Sequence, residues 1–343
     1  PGGIPYIIAN EAAERFSFYG MKAILSIFMV QYLWLMGDAP TEQMSEVLAS
    51  ENYHKFNKWV YATPFFGALL ADFFFGKYRV IIWLSIVYCV GHACLALMGV
   101  SGSAGWWLFA GLSLICVGSG GIKPCVSAHV GDQFGKSNQH LLTKVFNWFY
   151  FSINLGAFLS MLATPWILEW HGPHLAFGIP GVLMAIATLF FWLGRKKFIH
   201  IQPDSKKFKR ELCSKEGLGV ILRLLPLYFF VAFFWALFDQ TGSSWVFQSQ
   251  DMDRHFVIDW LPSQIQSINS VLILTLVPLF TFFVYPTLEK FIKLTPLRKI
   301  GVGLFITVFA FSIIALIQVS ISEGNTPNIG WQFLAYLFLY MLN

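Results

Sequence analysis

"RKKFIHIQPDSKKFKRELCSKEG", residues 195–217, is the one long polar stretch in a chain of 343 residues that is otherwise 56% hydrophobic. Six apolar spans precede it and four follow it. The stretch therefore divides the chain into an N-terminal six-helix bundle at 1–194, a cytoplasmic basic linker at 195–217 and the first four spans of a second bundle at 218–343. It is too short to hold two further spanning helices. A six-plus-six transporter of two repeats has this layout, with its substrate site near the midplane between the halves.

Outward from the linker, composition names the solvent. Aromatic residues make up 18% of the chain and charged residues only 12%, far from soluble averages. A bilayer core of about 30 Å needs about 20 apolar residues per helix. Such stretches recur at 5–35, 54–75, 79–100, 105–129, 142–168, 174–194, 218–247, 262–286, 298–320 and 329–343. The expected fold is an all-α polytopic membrane protein with about ten spans present and more expected after Asn343. No signal peptide precedes the first span, and the opening "PGGIPY" lacks an initiator Met, so the sequence is expected to begin inside a longer chain.

Loop charges give the orientation. Lys77 and Arg79 follow span 2, Lys136 and Lys144 follow span 4, eight Lys or Arg from Arg195 to Lys215 follow span 6, and Lys290, Lys293, Arg298 and Lys299 separate spans 8 and 9. The alternate loops carry almost none. The positive-inside rule then puts these four loops and the N-terminus in the cytoplasm. The net charge of +5 is a topology signal and calls for no nucleic-acid partner. Four of the five cysteines lie in apolar spans and Cys213 in the basic loop, so all are read as packing residues without a disulfide pattern.

"NEAAERFSFYG", residues 10–20, places ions inside span 1. A charge at a helix centre costs roughly 2.5 to 3.5 kcal/mol on translocon scales. At 3.6 residues per turn Glu11, Glu14, Arg15, Phe18, Tyr19 and Lys22 share one face, with Glu11 a turn before Arg15 in the favourable acid-to-base order. A single pair could simply tie span 1 to a neighbour; three or four ions on one stripe point to an aqueous cavity. His54, Tyr61, Lys123, Tyr150, Asn154, Asp239 and Asn269, polar residues in other spans, should converge on it. "GSGGIKP", 118–124, lacks the Lys-Ser/Thr of a phosphate loop, so its glycines are read as close helix packing. Arg15 could grip a ligand carboxylate bidentately while Lys123 acts as a point charge. His54, with a reference pKa of about 6.5, is read at the start of span 2, on the side from which protons enter.

These motifs together resemble the proton-coupled oligopeptide transporters of the major facilitator superfamily over essentially the full chain. Span 1 carries the ExxERF pattern as Glu11, Glu14, Arg15 and Phe16. "GALLADFFFGKYR", 67–79, is similar to the superfamily loop motif. "FNWFYFSINLGAF", 146–158, "GGIKPCVSAHVGDQF", 120–134, and "FWALFDQTGS", 234–243, are similar to further family signatures.

The resemblance implies roles by position. Arg15 and Lys123 match residues that bind the peptide carboxylate; Tyr19, Tyr61, Asn154 and Asn269 match residues that line the site and hydrogen-bond the peptide; Trp235 matches a side-chain pocket aromatic. Glu11, Glu14, Asp239 and His54 match proton-coupling groups, and Asp72, Lys77 and Arg79 an inner-gate latch. The histidine is that of the animal-like branch and some bacterial members, which makes a bacterial inner membrane the expected location. Phe18 replaces a tyrosine of many members, Thr281 stands where some animal members have an acid that pairs with an arginine matched by Arg223, and the span 10 glutamate would fall near Asn343.

The function implied is symport of di- and tripeptides, and of peptide-like drugs, driven by a proton as coupling ion with no other cofactor, by a protein active as a monomer. Within the class the rival is a transporter of nitrate or another small anion, against which the complete glutamate cluster argues. An enzyme or a receptor finds no support in HExxH, CxxC, Ser–His–Asp spacing or a sensor domain.

Overall fold

The computed structural model describes residues 2–37, 42–203, 205, 210, 214–293 and 295–341. Lys206, Lys207, Lys209, Cys213 and Asn343, each used above, lie outside them. Ten main helices follow in order: α1 Ile4–Gln31, α2 Glu46–Leu70, α3 Lys77–Ala96, α4 Ala104–Asp132, α5 Leu142–His171, α6 Pro173–Leu193, α7 Lys215–Phe238, α8 Ile268–Leu279, α9 Pro296–Ser322 and α10 Gly330–Tyr340. Short turns lengthen several of them, such as the single 3-10 stretch Pro262–Ser267 leading into α8. A hairpin of two-residue strands, His255–Phe256 with Ile258–Asp259, is the strand pair among the described residues.

Seven of the helical segments are long and apolar enough to cross a membrane. The other three have visible reasons for falling outside that group: α1 carries its ions, α2 opens on a polar turn, and α10 is described for 11 residues. Large apolar side chains such as Trp83 of α3 and Trp106 and Phe109 of α4 are at least 60% exposed. Lipid is the solvent that tolerates such a surface, and in it backbone groups must be satisfied within the helix.

The side chains pack into two bodies. One joins residues of α1–α6 from Ile4 to Phe198, and receives Val246 and Phe247; the other joins residues from Trp245 to Tyr340. Within the first, α4 lies close against α2 and α3 because its glycines admit neighbouring backbone. A Cβ on Gly67 of α2 would collide with the Gly120 carbonyl, and one on Gly118 would strike Tyr88 of α3. The "GSGG" run is thus a packing surface, and α4 runs unbroken through Lys123 and Pro124, unlike the strand-to-helix turn of a phosphate loop. At Gly76 the backbone takes φ 77°, which glycine adopts freely, and there α2, widened to a π-turn over Ala71–Phe75, reverses into α3. The cysteines described, 89, 94, 116 and 125, are free.

Candidate functional site: a charged cavity between two helical bundles

On α1, Arg15 is wedged between its two glutamates. Its Nε lies 2.9 Å from Glu11 Oε1 and 2.6 Å from Glu14 Oε2, and the three side chains are nearly inaccessible, Glu14 wholly so. The contact is ionic: Nε, Glu11 Oε2 and both Glu14 oxygens lack an aligned hydrogen bond. The helical spacing foresaw this cluster. Lys123 approaches from α4 and meets no carboxylate at ion-pair distance among the described residues; its Nζ lies 3.8 Å from the centroid of the Phe18 ring and 5.1 Å from that of Tyr61. Phe18, which lacks the expected hydroxyl, instead offers a ring face to an ammonium, a contact worth about 0.5–2 kcal/mol.

Seven residues along the same stripe, Lys22 reaches Asp239 at the end of α7, Nζ to Oδ1 3.3 Å, and faces the rings of Tyr53 and Tyr61 at 5.4 and 5.8 Å. The sequence placed Lys22 on the stripe and gave it no role, so this pair of residues 217 positions apart is new. His54 Nε2 lies 3.0 Å from Ser243 Oγ. It stands about two turns inside α2, not at its start, because the helix begins at Glu46 with Ser45 as its cap, the Leu48 amide donating to the Ser45 hydroxyl.

Around this pair the two bodies enclose a cavity of about 360 Å³. Of the residues expected to line it, Tyr19, Tyr61, Trp235 and Asn269 do so, together with Lys22 and Asp239. Tyr150 also lines it, as its polarity suggested. Tyr53, Met161, Gln266, Tyr336 and Tyr340 complete much of the wall and went unread. Asn269 Oδ1 and the Tyr340 hydroxyl have no protein partner. Arg15, Lys123 and Asn154 are set back from this wall; Asn154 Nδ2 donates to the Tyr150 carbonyl of its own helix at 2.9 Å.

The cavity is sealed at one end. Ser26 donates to the Gly242 carbonyl at 2.6 Å, Gln266 to Ala23 at 3.1 Å, Gln264 to Leu162 at 2.9 Å and Gln31 to Gln250 at 2.9 Å. With Lys22–Asp239 and His54–Ser243, these contacts join the Lys22–Gln31 end of α1 and its neighbours to residues 239–266. Lys77, expected in a latch, pairs with Asp132 of its own bundle at 2.7 Å, and Arg79 beside it is exposed. Arg223 is likewise exposed and in no ion pair among the described residues.

A protein-family model described as the POT family matches residues 78–215 and 214–342. The chain belongs to the POT family. Among curated proteins it is 34% identical to Peptide transporter 3 of Caenorhabditis elegans, with 96% of this chain and 53% of that protein aligned. It is also 34% identical to Solute carrier family 15 member 2 of Mus musculus, over 100% of this chain and 52% of that protein. The chain thus spans about half the length of the curated relatives it matches.

Solved structures agree on the fold. The POT family transporter PepTSo superposes with a TM-score of 0.89 at 37% identity, covering 99% of this chain and 81% of that one. A mutant of peptide transporter POT in complex with alafosfalin gives 0.80 at 25% identity, covering 99% and 79%. The chain is therefore a multi-pass membrane protein with the major facilitator fold. The POT family signatures quoted from the sequence fall where the helices meet: "ExxERF" at the buried face of α1, "GGIKP" at the α2–α4 contact, and "FWALFDQTGS" at the closed end of the cavity.

Proposed function

We propose that this chain carries di- and tripeptides into the cell by proton-coupled alternating access, as a monomer in the plasma membrane with its N-terminus cytoplasmic, the proton serving as the only coupling ion. The observation that carries the reading is a charge-balanced cluster with a loose member: Arg15 is held in contact by two carboxylates, while Lys123 nearby, at ion-pair distance from none among the described residues, rests on the ring faces of Phe18 and Tyr61. Protonation at Glu11 or Glu14 weakens the hold on Arg15, and the freed guanidinium can then grip a carboxylate bidentately beside the Lys123 charge. Proton arrival and peptide binding are in this way the same event seen from two residues.

His54, Lys22 and Asp239 serve the second half of the cycle. They bridge the bundles at the sealed end, so a proton on Asp239 removes the ion pair with Lys22 and favours opening there, and a proton on His54 makes a cation that competes with Lys22 for Asp239. Asp72, Lys77 and Arg79 serve the opposite gate, Lys77 exchanging its partner when that end closes. Tyr19, Tyr61 and Asn269, which line the cavity, supply hydrogen bonds to the peptide backbone, Asn154 joins them when its amide leaves the Tyr150 carbonyl, and Trp235 gives a permissive apolar wall, which suits peptides of varied side chain and peptide-like drugs. One charge crossing about 100 mV supplies about 2.3 kcal/mol, enough for roughly 50-fold accumulation at 1.4 kcal/mol per decade.

The test is uptake of a labelled dipeptide into liposomes holding the purified protein, with and without an inward acid gradient. Gradient-driven accumulation is expected. Uptake indifferent to the gradient refutes symport, and a gradient-driven uptake of nitrate that dipeptides do not inhibit refutes the peptide assignment.

A further inference from the structure

Away from the central site, at the end of the first bundle where the basic stretch begins, lies a second cavity of about 520 Å³. The α2–α3 turn, the last turn of α4 and the segment running to Pro203 enclose it. Its walls carry four basic side chains, Lys77, Arg79, His129 and His200, against one carboxylate, Asp132. That carboxylate is already answered, since Lys77 Nζ donates to both its oxygens at 2.9 and 2.7 Å. Arg79 makes no ion pair among the described residues. His129 is 1% exposed, lines the cavity, and leaves Nε2 without a hydrogen-bond partner.

The far wall is pinned rather than loosely draped. Gln133 and Ile199 exchange two hydrogen bonds, amide Nε2 to carbonyl at 3.2 Å and backbone N to Oε1 at 2.8 Å. Phe198 is buried beside them, its ring 5.2 Å from that of His129. His200 stands edge-on to Tyr78 at 4.8 Å and spends Nε2 on the Arg195 carbonyl. At the rim Phe74 and Phe75 are 68% and 53% exposed.

We propose that this cavity binds a phosphate group, that of a phospholipid headgroup at the membrane surface. A guanidinium without a carboxylate partner among the described residues is a fork that fits two phosphate oxygens. A buried imidazole nitrogen, in the tautomer protonated at Nε2, supplies a third donor from below, while Lys77 and Asp132 neutralise each other and leave the Arg79 charge to the anion. The excess of positive charge suits an anion, and exposed phenyl rings at the rim suit the acyl region of an amphiphile; basic pockets at the cytoplasmic face of membrane proteins serve headgroups in this manner.

The experiment is native mass spectrometry of the whole protein released from bilayers of mixed phosphatidylglycerol and phosphatidylcholine, alongside thermal unfolding with inorganic phosphate at constant ionic strength. Wild type is expected to retain phosphatidylglycerol and to lose it on addition of phosphate. Arg79→Gln and His129→Phe should each lower retention about tenfold, equivalent to about 1.4 kcal/mol, while Lys136→Gln, an exposed charge at the same end, should not. Phenylalanine fits among Phe191 and Phe198, so unchanged unfolding midpoints identify the variants as folded. Stabilisation by phosphate that needs Arg79, without lipid retention, supports the phosphate seat and rejects the lipid as its source. Retention equal in wild type and both variants, or lost equally in Lys136→Gln, overturns the site.

Discussion

Removing the charge of Lys22 or Asp239 should open the sealed end of the cavity. The pair stands 3.3 Å apart with side chains 11% and 16% accessible. At an effective dielectric of about 20, charges at that distance attract by about 5 kcal/mol; dehydration of both ions cancels much of this, leaving a coupling of about 1–3 kcal/mol, a five- to 150-fold shift between conformations. Lys22→Gln and Asp239→Asn should each produce that shift or more, because each strands the other charge in a poorly hydrated place. The double variant should cost less than the two single ones together. Spin labels at Val47→Cys and Val257→Cys, both strongly exposed and on opposite sides of the seam, report the distance by double electron–electron resonance. Distance distributions identical in wild type and both single variants would show that the contact seals nothing.

Further outcomes follow from other contacts. Arg15→Ala should lower gradient-driven dipeptide uptake at least about 100-fold, since it removes a charge-assisted anchor and leaves two buried carboxylates facing each other; a variant that still concentrates peptide refutes its role. His54→Ala should preserve exchange of dipeptide across equilibrated liposomes while abolishing acceleration by an acid gradient, and normal acceleration would return His54 to a structural part. Gly67→Ala should separate α2 from α4 and destabilise the protein by about 1–3 kcal/mol, seen as a lower unfolding midpoint in detergent. Asp253, in the loop after α7, has its carboxyl held below the ordinary aspartate value of 3.8 by the His255 amide and the Asn328 side chain. A depressed value stabilises above the unfolded value and is lost on acidification through the folded one, so the protection factor of the His255 amide, the free-peptide exchange rate divided by its own at the same pH, should fall only below about pH 3.8.

The helices were legible because a bilayer demands a fixed apolar length, and hydropathy reads length directly. Where a helix projects beyond the apolar layer the same reading fails: α2 starts at Glu46 amid Ser50, Glu51 and Asn52, and His54 was set at its mouth though it stands well inside. The Glu11–Glu14–Arg15 cluster was visible because its partners are one turn apart. Lys22–Asp239 was not, since no periodicity links residues on different helices. Tyr336 and Tyr340 escaped for a related reason: hydropathy registers α10 as apolar and is blind to the hydroxyls it turns toward the cavity. The same limit hid Phe18, which sequence comparison counted as a lost hydroxyl and geometry shows as a seat for the Lys123 ammonium.

Arg15 and Lys22 are seven residues apart on one unbroken helix, about 10 Å along its axis. The side chains can exchange partners in turn, but the rod itself moves as one, so once the guanidinium is free and the bridge to Asp239 is broken, the reorientation of α1 should show one conformational rate constant at both ends where two separately hinged gates would show two.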